Sequence, residues 1–316
     1  MTTAATIERP VFAGHETFPL RYTWLRKAVV STQANGQIFL ADDAVVRLGV
    51  GKNMVRAIRH WGLVCGVLEE QPQVTNNLGR ELRPTTLGTK LLGDDGWDPF
   101  LEDPITLWIL HHELVSSPAG PTTWYWVFNH LPQVEFTKSE IAAWLGRLAQ
   151  ERGWTRVSPA SLKRDIDVFL RTYVPSRASR TVPLEDTLDS PLVELGLIRE
   201  FDVKGGYRIQ RGEHATLPDA AFAYSLARFL QQRGAGAAAI PIQSIAFAPG
   251  SPGRVFALTE DALMHRLERI EAATDGRIVF HDTAGLRQIL VQRAPDPTSI
   301  LAHYFRRQRR RGPRRR

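Results

Sequence analysis

Cysteine is almost missing from this 316-residue chain. Cys65 is the only one, so no disulfide can form within the chain and no thiolate metal cluster can be built from it alone. Long apolar runs are lacking as well, since no stretch approaches the roughly eighteen residues that a membrane span needs. Residues 1 to 10 carry no basic-then-apolar signal pattern. These absences predict a cytoplasmic protein that makes no membrane contact. Also missing are the His-Glu-x-x-His spacing of metalloproteases, the His-x-His pattern of relaxases and any tyrosine that stands out as a nucleophile.

Negative charge is scarce at one end only. The net charge is +7, yet the terminal segment Arg306 to Arg316 holds eight arginines, and without them the remainder falls to −1. The basicity is therefore concentrated in Arg306, Arg307, Arg309, Arg310, Arg311 and the residues beyond. A run of like charge that buries no apolar surface predicts a disordered tail acting by counterion release from a polyanion, or a merely solubilising extension. A hydrophobic fraction of 43% is ordinary for a folded protein, and the length suggests two domains or three small ones.

The most specific local signal lies between Asp42 and Trp61. Asp42 is read as the N-cap of a short helix with Ala44, Val45 and Leu48 on its apolar face, and Leu48-Gly49-Val50-Gly51 supplies a tight turn. In the helix that follows, about 100° per residue gathers Lys52, Arg56, Arg59 and His60 into one arc and sets Met54, Val55, Ile58 and Trp61 opposite. A core side and a phosphate-facing side predict a helix-turn-helix on double-stranded DNA. An amphipathic helix with a solvated basic face is the plainer reading. Leu63 to Leu68, a polar Gln/Asn/Gly segment and Leu82 to Gly88 suit a hairpin wing and a closing helix.

The same logic recurs further along. Thr137-Lys138-Ser139-Glu140 is a capping box, followed by Ile141, Trp144, Leu145 and Leu148 at helical spacing. Ser158-Pro159 starts another helix, with Leu162, Ile166, Phe169, Leu170 and Tyr173 inward and Lys163, Arg164, Asp167 and Arg171 outward. Leu195 to Phe201 and Tyr207 to Ile209 flank a hairpin tip at Val203-Lys204-Gly205-Gly206. Asp167 dilutes the positive face, so this second module suits either DNA, through Lys163, Arg164, Arg171 and Lys204, or protein contacts.

Between the modules, Pro104 opens an apolar helix, and Trp124 to Phe128 form an aromatic block that reads as core rather than as a base-stacking platform. His111-His112-Glu113 lacks metal-ligand spacing and reads as a buried or surface cluster. The last third predicts a helix from Pro218 and Asp219, a turn at Pro249 to Gly253, a helix over residues 259–273 and strands over 277–280 and 288–291. Asp282, just after a predicted strand, is either a turn residue or a carboxylate in a catalytic position. The expected fold is mainly α with small β-hairpin wings, α+β in class. Its expected parts are an N-terminal winged helix-turn-helix domain (1–95), a helical region with a second winged-helix-like module (96–215), a C-terminal α/β lobe (216–305) and a disordered arginine-rich tail (306–316).

Gly14-His15-Glu16-Thr17-Phe18-Pro19-Leu20-Arg21, together with Asp42 through Val55, resembles the uncharacterised-domain family that includes the proposed DNA-nicking component of the bacterial Ssp DNA phosphorothioation system. The resemblance runs from about Val11 to Leu290. It implies a role in anti-phage modification beside a cysteine desulfurase and ATP-using proteins, with one strand nicked so that sulfur can replace a non-bridging phosphate oxygen. Nicking comes from the resemblance; the residues themselves point to DNA binding. Hydrolysis of a phosphodiester calls for carboxylates on a divalent metal such as Mg or Mn, or a histidine to activate water, plus a cation. His15, Glu16 and Arg21 supply those types, with Glu16 as the metal ligand, although adjacent residues of an extended chain face opposite ways. Asp189 with Asp202 and Lys204 is a weaker alternative. A non-catalytic winged-helix regulator or platform for modification enzymes is the competing class. A homodimer is left open.

Overall fold

The computed structural model describes residues 7–76, 79–176, 189–202, 205–234, 239–283 and 285–311. Side chains of residues 72–79, 202 and 311 lie outside that description. The fold is α+β, mainly helical with three small antiparallel sheets among the described residues. It divides into two compact units, residues 6–210 and 211–316 with the extreme N-terminus.

The first unit begins with α1 (Trp24–Ala34), a 3-10 turn at Ile38–Leu40, α2 (Ala44–Leu48) and α3 (Lys52–Val64). The hairpin β1 (Leu68–Asn76) and β2 (Gly79–Pro84) follows, then α4 (Thr86–Leu92). Ile38, Ala44, Leu48 and Val55 form a small buried cluster that fixes the α2–α3 angle. Two details differ from the sequence reading. The cap of α2 is Asp43 rather than Asp42, because Ala44 N–H is already bonded to Ala41 in a turn (3.1 Å), and no side-chain cap bond forms. Val45 is exposed. In a five-residue helix the pair Ala44 and Leu48, four residues apart, covers the cluster, and Val45 points about 100° away. Gly49, at φ 63°, makes the left-handed exit that the turn requires.

Next come α5 (Pro104–Val115), α6 (Thr122–His130), β3 (Glu135–Thr137), α7 (Lys138–Glu151) and α8 (Pro159–Tyr173). A 3-10 turn at Pro191–Leu195 leads to β4 (Ile198–Asp202) and β5 (Gly206–Ile209). The capping box on α7 and the Ser158-Pro159 start of α8 form as expected. The aromatic block is core: Trp108, Trp124, Tyr125 and Phe128 are buried with Phe169 and Tyr173, packed mostly edge-to-face. His111 belongs to that core through a 2.9 Å bond between Nδ1 and the Tyr173 hydroxyl. Tyr125 is shielded enough for burial to raise its hydroxyl to about 12.

The second unit holds α9 (Asp219–Gln232), β6 (Ala239–Pro241), α10 (Ile242–Phe247), α11 (Pro252–Val255), α12 (Glu260–Glu268) and α13 (Ile270–Ala273). The hairpin β7 (Ile278–Thr283) and β8 (Leu286–Val291) precedes α14 (Pro297–Arg311). The helix expected over 259–273 is split at Arg269, and β6 has no periodic signal in three residues. The tail expected to be disordered from residue 306 is instead helical to Arg311. Ile300, Leu301 and Phe305 are buried and nucleate α14. Arginine propagates a formed helix at little cost, so the helix outruns its packed half. The remaining tail arginines, Arg314 to Arg316, lie outside the described residues.

Both three-stranded sheets share one strand order. β5 lies between β3 and β4, and β8 lies between β6 and β7. In each, the first strand leads into helices and a hairpin closes the sheet. No helix among the described residues is long and apolar enough to cross a membrane.

Candidate nucleic-acid interface

The segment Gly14 to Arg21 is a knot of turns. Glu16 N–H bonds to Ala13 (3.0 Å) and Phe18 N–H to His15 (3.0 Å), while Ala13 and Glu16 take left-handed φ values of 58° and 57°. Such a backbone costs about 1 to 2 kcal/mol at each non-glycine residue and persists only where surroundings fix it. Asp165 of α8 is the fixing group. Its Oδ1 accepts Ala13 N–H (2.7 Å) and His15 Nε2–H (2.9 Å), and its Oδ2 accepts the Thr123 hydroxyl of α6.

Asp165 sets the tautomer of His15 and holds it with 1% exposure among the rings of His60, Trp61 and Trp124. His15, expected as a catalytic residue, is sealed from solvent and braces the loop through Asp165. Its neighbour Glu16 turns the other way, half-exposed, with Oε1 3.4 Å from Arg56 Nη1.

The knot is bonded to α3. Trp61 Nε1 donates to the Phe18 carbonyl (3.0 Å), and Gly14 lies so close to His60 that a Cβ there would be 2.4 Å from Nδ1. His60 is therefore packed beneath the knot instead of sharing the outer arc of α3, because it stands at the edge of that arc where the loop closes over it. Burial, then the nearby His15 and Arg59, push its pKa down to about 3.

From Phe18 onward the chain forms one wall of an open groove of about 870 Å³, and the α2–α3 turn with the start of α3 forms the other. Arg21, Lys27 and Lys52 line it with the rings of Phe18, Tyr22 and Trp24 and the backbone of Gly49 to Met54. Arg21 lies over the Phe18 and Trp24 rings, 5.7 and 5.3 Å from their centroids. Lys27 Nζ donates to the Leu48 carbonyl (2.6 Å) and ties the two walls together. Gly51 caps α3 without a side chain, so the first amides of the helix meet the groove uncapped. Asp189 stands on the rim. Beside it Tyr22 donates to Glu194, and burial followed by that bond raises the Tyr22 hydroxyl pKa.

The other expected contacts divide sharply. Lys52 and Arg56 are exposed at the start of α3. Arg59 is bonded to Glu70 of β1 (2.9 Å), which also holds Arg80 (3.0 Å), so it braces the hairpin. On α8, Lys163 and Arg164 are exposed, Arg171 donates to the Thr17 carbonyl (3.2 Å), and Asp167 holds Lys138 (2.6 Å). Lys204 and the side chains of Asp202 and Arg311 lie outside the described residues. Asp282 is paired with Arg287 (3.0 Å) on an exposed hairpin.

No group of three or more His, Cys, Asp or Glu residues that could hold a metal occurs among the described residues. Glu16 is a carboxylate beside an arginine. Sequence reasoning missed Asp165 and Lys27. The signal for Asp165 was its position three residues after Leu162 and one before Ile166, on the inward stripe of α8.

Residues 12–305 match the family model described as protein of unknown function (DUF4007). Among solved structures, an SspB crystal structure is 31% identical, with a TM-score of 0.88 over 98% of this chain and 92% of that one. A magnesium ion-bound SspB crystal structure is 32% identical, with a TM-score of 0.84 over 96% and 90%. No curated protein matches the chain.

Proposed function

The chain belongs to the DUF4007 family, and from that membership and its likeness to SspB we propose that it is the DNA-engaging component of a phosphorothioation system of the Ssp kind, working beside a cysteine desulfurase and ATP-using proteins. One observation carries the reading. The Phe18–Lys27 and Gly49–Met54 segments, separate in sequence, meet as the two walls of a groove holding Arg21, Lys27 and Lys52. Cations and uncapped helix amides suit a phosphodiester backbone. The helix–turn–helix–hairpin order of α2, α3, β1 and β2 supports a winged-helix docking of α3 on duplex DNA, with Lys52 and Arg56 as phosphate contacts. The order of β3, α7, α8, β4 and β5 supports the same reading, with Lys163 and Arg164 outward.

Single-strand nicking is the finer part of this proposal. Magnesium keeps several waters and is commonly held by one or two carboxylates. Glu16 offers one, at the surface and adjacent to the groove-lining segment, and a similar solved structure is a magnesium ion-bound SspB. When bound, the ion would neutralise charge on the phosphate. Arg56, 3.4 Å from Glu16, holds the carboxylate in place and presents its own charge to the same phosphate. The His15–Asp165 pair keeps the loop in the conformation that turns Glu16 outward. The competing reading is a non-catalytic platform for modification enzymes that uses the same DNA-facing surfaces.

Supercoiled plasmid incubated with the full chain and Mg²⁺ or Mn²⁺, alone and with its partner proteins, decides between them. The nickase reading expects open circles that do not quickly become linear, and loss of that product in Glu16→Gln with duplex affinity kept. Well-folded protein that binds duplex and never nicks establishes the platform.

A further inference from the structure

The unit of residues 211–316 repeats the strand order of the β3–β5–β4 module but places its charge differently. In the earlier module the helix before the hairpin is α8, with Lys163 and Arg164 outward. The helices before the hairpin here are α12 and the short α13, whose exposed residues include Glu260, Asp261 and Glu268 on α12 and Glu271 on α13. The arginine of α12 does not offset them. Arg266 is 3% exposed, bonded to Asp219 (3.1 Å) and to the Glu213 carbonyl (2.6 Å), and Arg269 is held by the same Asp219. A polyanion finds repulsion on this helix.

Positive charge appears instead on α14, which follows the hairpin. Leu301 and Phe305 anchor the helix in the core of the unit. At about 100° per residue, Arg306, Arg307, Arg309 and Arg310 fall within an arc of about 160° whose centre is about 140° from those anchors. All four are exposed. No Asp or Glu follows Asp296 in the sequence. Four cations occupy about 6 Å of helix axis, a density close to the one phosphate per about 1.7 Å of duplex. The arginines also sit in the last turns, where they complement the helix dipole.

We propose that α14 is a rigid, sequence-independent contact for the phosphate backbone of duplex DNA, and that it replaces the acidic α12 as the DNA-facing helix of this unit. This rests on the DNA-engaging reading above and adds a second contact surface to it. Charge complementarity identifies the occupant. A fixed arginine face loses less conformational freedom on binding than a disordered tract, so its contacts are made at lower entropic cost.

The test is fluorescence anisotropy of two unrelated labelled duplexes titrated with the full chain across a salt series. The variants are Arg306→Gln/Arg307→Gln/Arg310→Gln on α14, Glu260→Gln/Asp261→Asn on α12 and Lys52→Ala/Arg56→Ala on α3. Glutamine keeps the helix, and circular dichroism checks it. The α14 variant should reduce the slope of log K against log salt by about two to three, equally on both duplexes. The α12 variant should leave that slope unchanged. An unaltered slope in the α14 variant, with the α3 variant weakened, overturns this inference and leaves the groove reading standing. Loss in the α14 variant with the α3 variant at wild-type affinity upholds it and sinks the groove. A wild-type chain that binds neither duplex removes both.

Discussion

His15 and Asp165, 150 positions apart, share a buried 2.9 Å hydrogen bond that joins the Gly14–Arg21 knot to α8. Asp165 accepts from three donors at once, and two of them belong to the strained loop. Asp165→Ala leaves the Ala13 amide, the His15 ring and the Thr123 hydroxyl without their acceptor in a closed interior. At roughly 1 to 3 kcal/mol per orphaned group, and more where a charge is involved, the variant should lose at least about 3 kcal/mol in urea denaturation. Thr123→Val, which removes one donor with its shape kept, should lose about 1 kcal/mol. Equal losses in the two variants would mean that Asp165 does not organise the loop.

Gly14 and His60 make a sharper test of local packing. A methyl group on Gly14 would meet His60 Nδ1 at 2.4 Å, well inside contact distance. Gly14→Ala should therefore destabilise by about 1 to 3 kcal/mol, as overpacking does. His60→Ala removes the obstructing ring, so the double variant should be more stable than the sum of the two single losses by at least about 1 kcal/mol. Simple additivity in the cycle would place the strain of Gly14→Ala somewhere other than His60.

The helices were largely legible in the sequence because caps and periodicity are local. The Thr137 capping box, the Ser158-Pro159 start and the apolar stripe of α8 all act within a few residues. What was not legible depends on partners far away in the chain. Whether His60 faces solvent is decided by Gly14, and whether Arg59 is available is decided by Glu70. Angular position on a helix cannot report either. The helical state of Arg306 to Arg310 was hidden for a related reason: composition records repulsion, while the helix is nucleated upstream by Leu301 and Phe305. The motifs that carry the family resemblance were visible, but the groove they enclose is a property of the fold.

The pH dependence follows from His60. Its pKa in the folded protein is about 3, against an ordinary value of 6.5, chiefly because the ring is buried. Below 6.5 the unfolded chain takes up a proton that the folded chain refuses, so the unfolded state binds more protons and stability rises with pH across that window. On acidification, stability should fall from about pH 6.5 toward pH 3, by at most about 1.4 kcal/mol per pH unit from this residue. The His60→Asn variant, which cannot titrate, should show a flatter acid limb in denaturation midpoints measured between pH 7 and pH 4. Parallel limbs in variant and wild type would assign acid sensitivity to other groups.

The outer arginines of α3 should not contribute alike to DNA affinity, although their spacing makes them look equivalent. Lys52 lines the groove and Arg56 is exposed beside Glu16. Arg59 is committed to Glu70 at 2.9 Å, and Glu70 is shared with Arg80 at 3.0 Å across the β1–β2 hairpin. A half-buried cation held at 2.9 Å by a carboxylate releases few counterions from a duplex, whereas Arg56, more exposed and at a longer 3.4 Å from Glu16, releases about one. Lys52→Ala and Arg56→Ala should each lower the salt slope of duplex binding by about one. Arg59→Ala should change it by less than half as much. Its larger effect should be on the hairpin, as faster amide exchange in β1 once Glu70 keeps only its exposed pairing with Arg80. A salt titration in which Arg59→Ala costs as much slope as Arg56→Ala would show that the Glu70 bridge opens on DNA, and would put Arg59 back among the phosphate contacts.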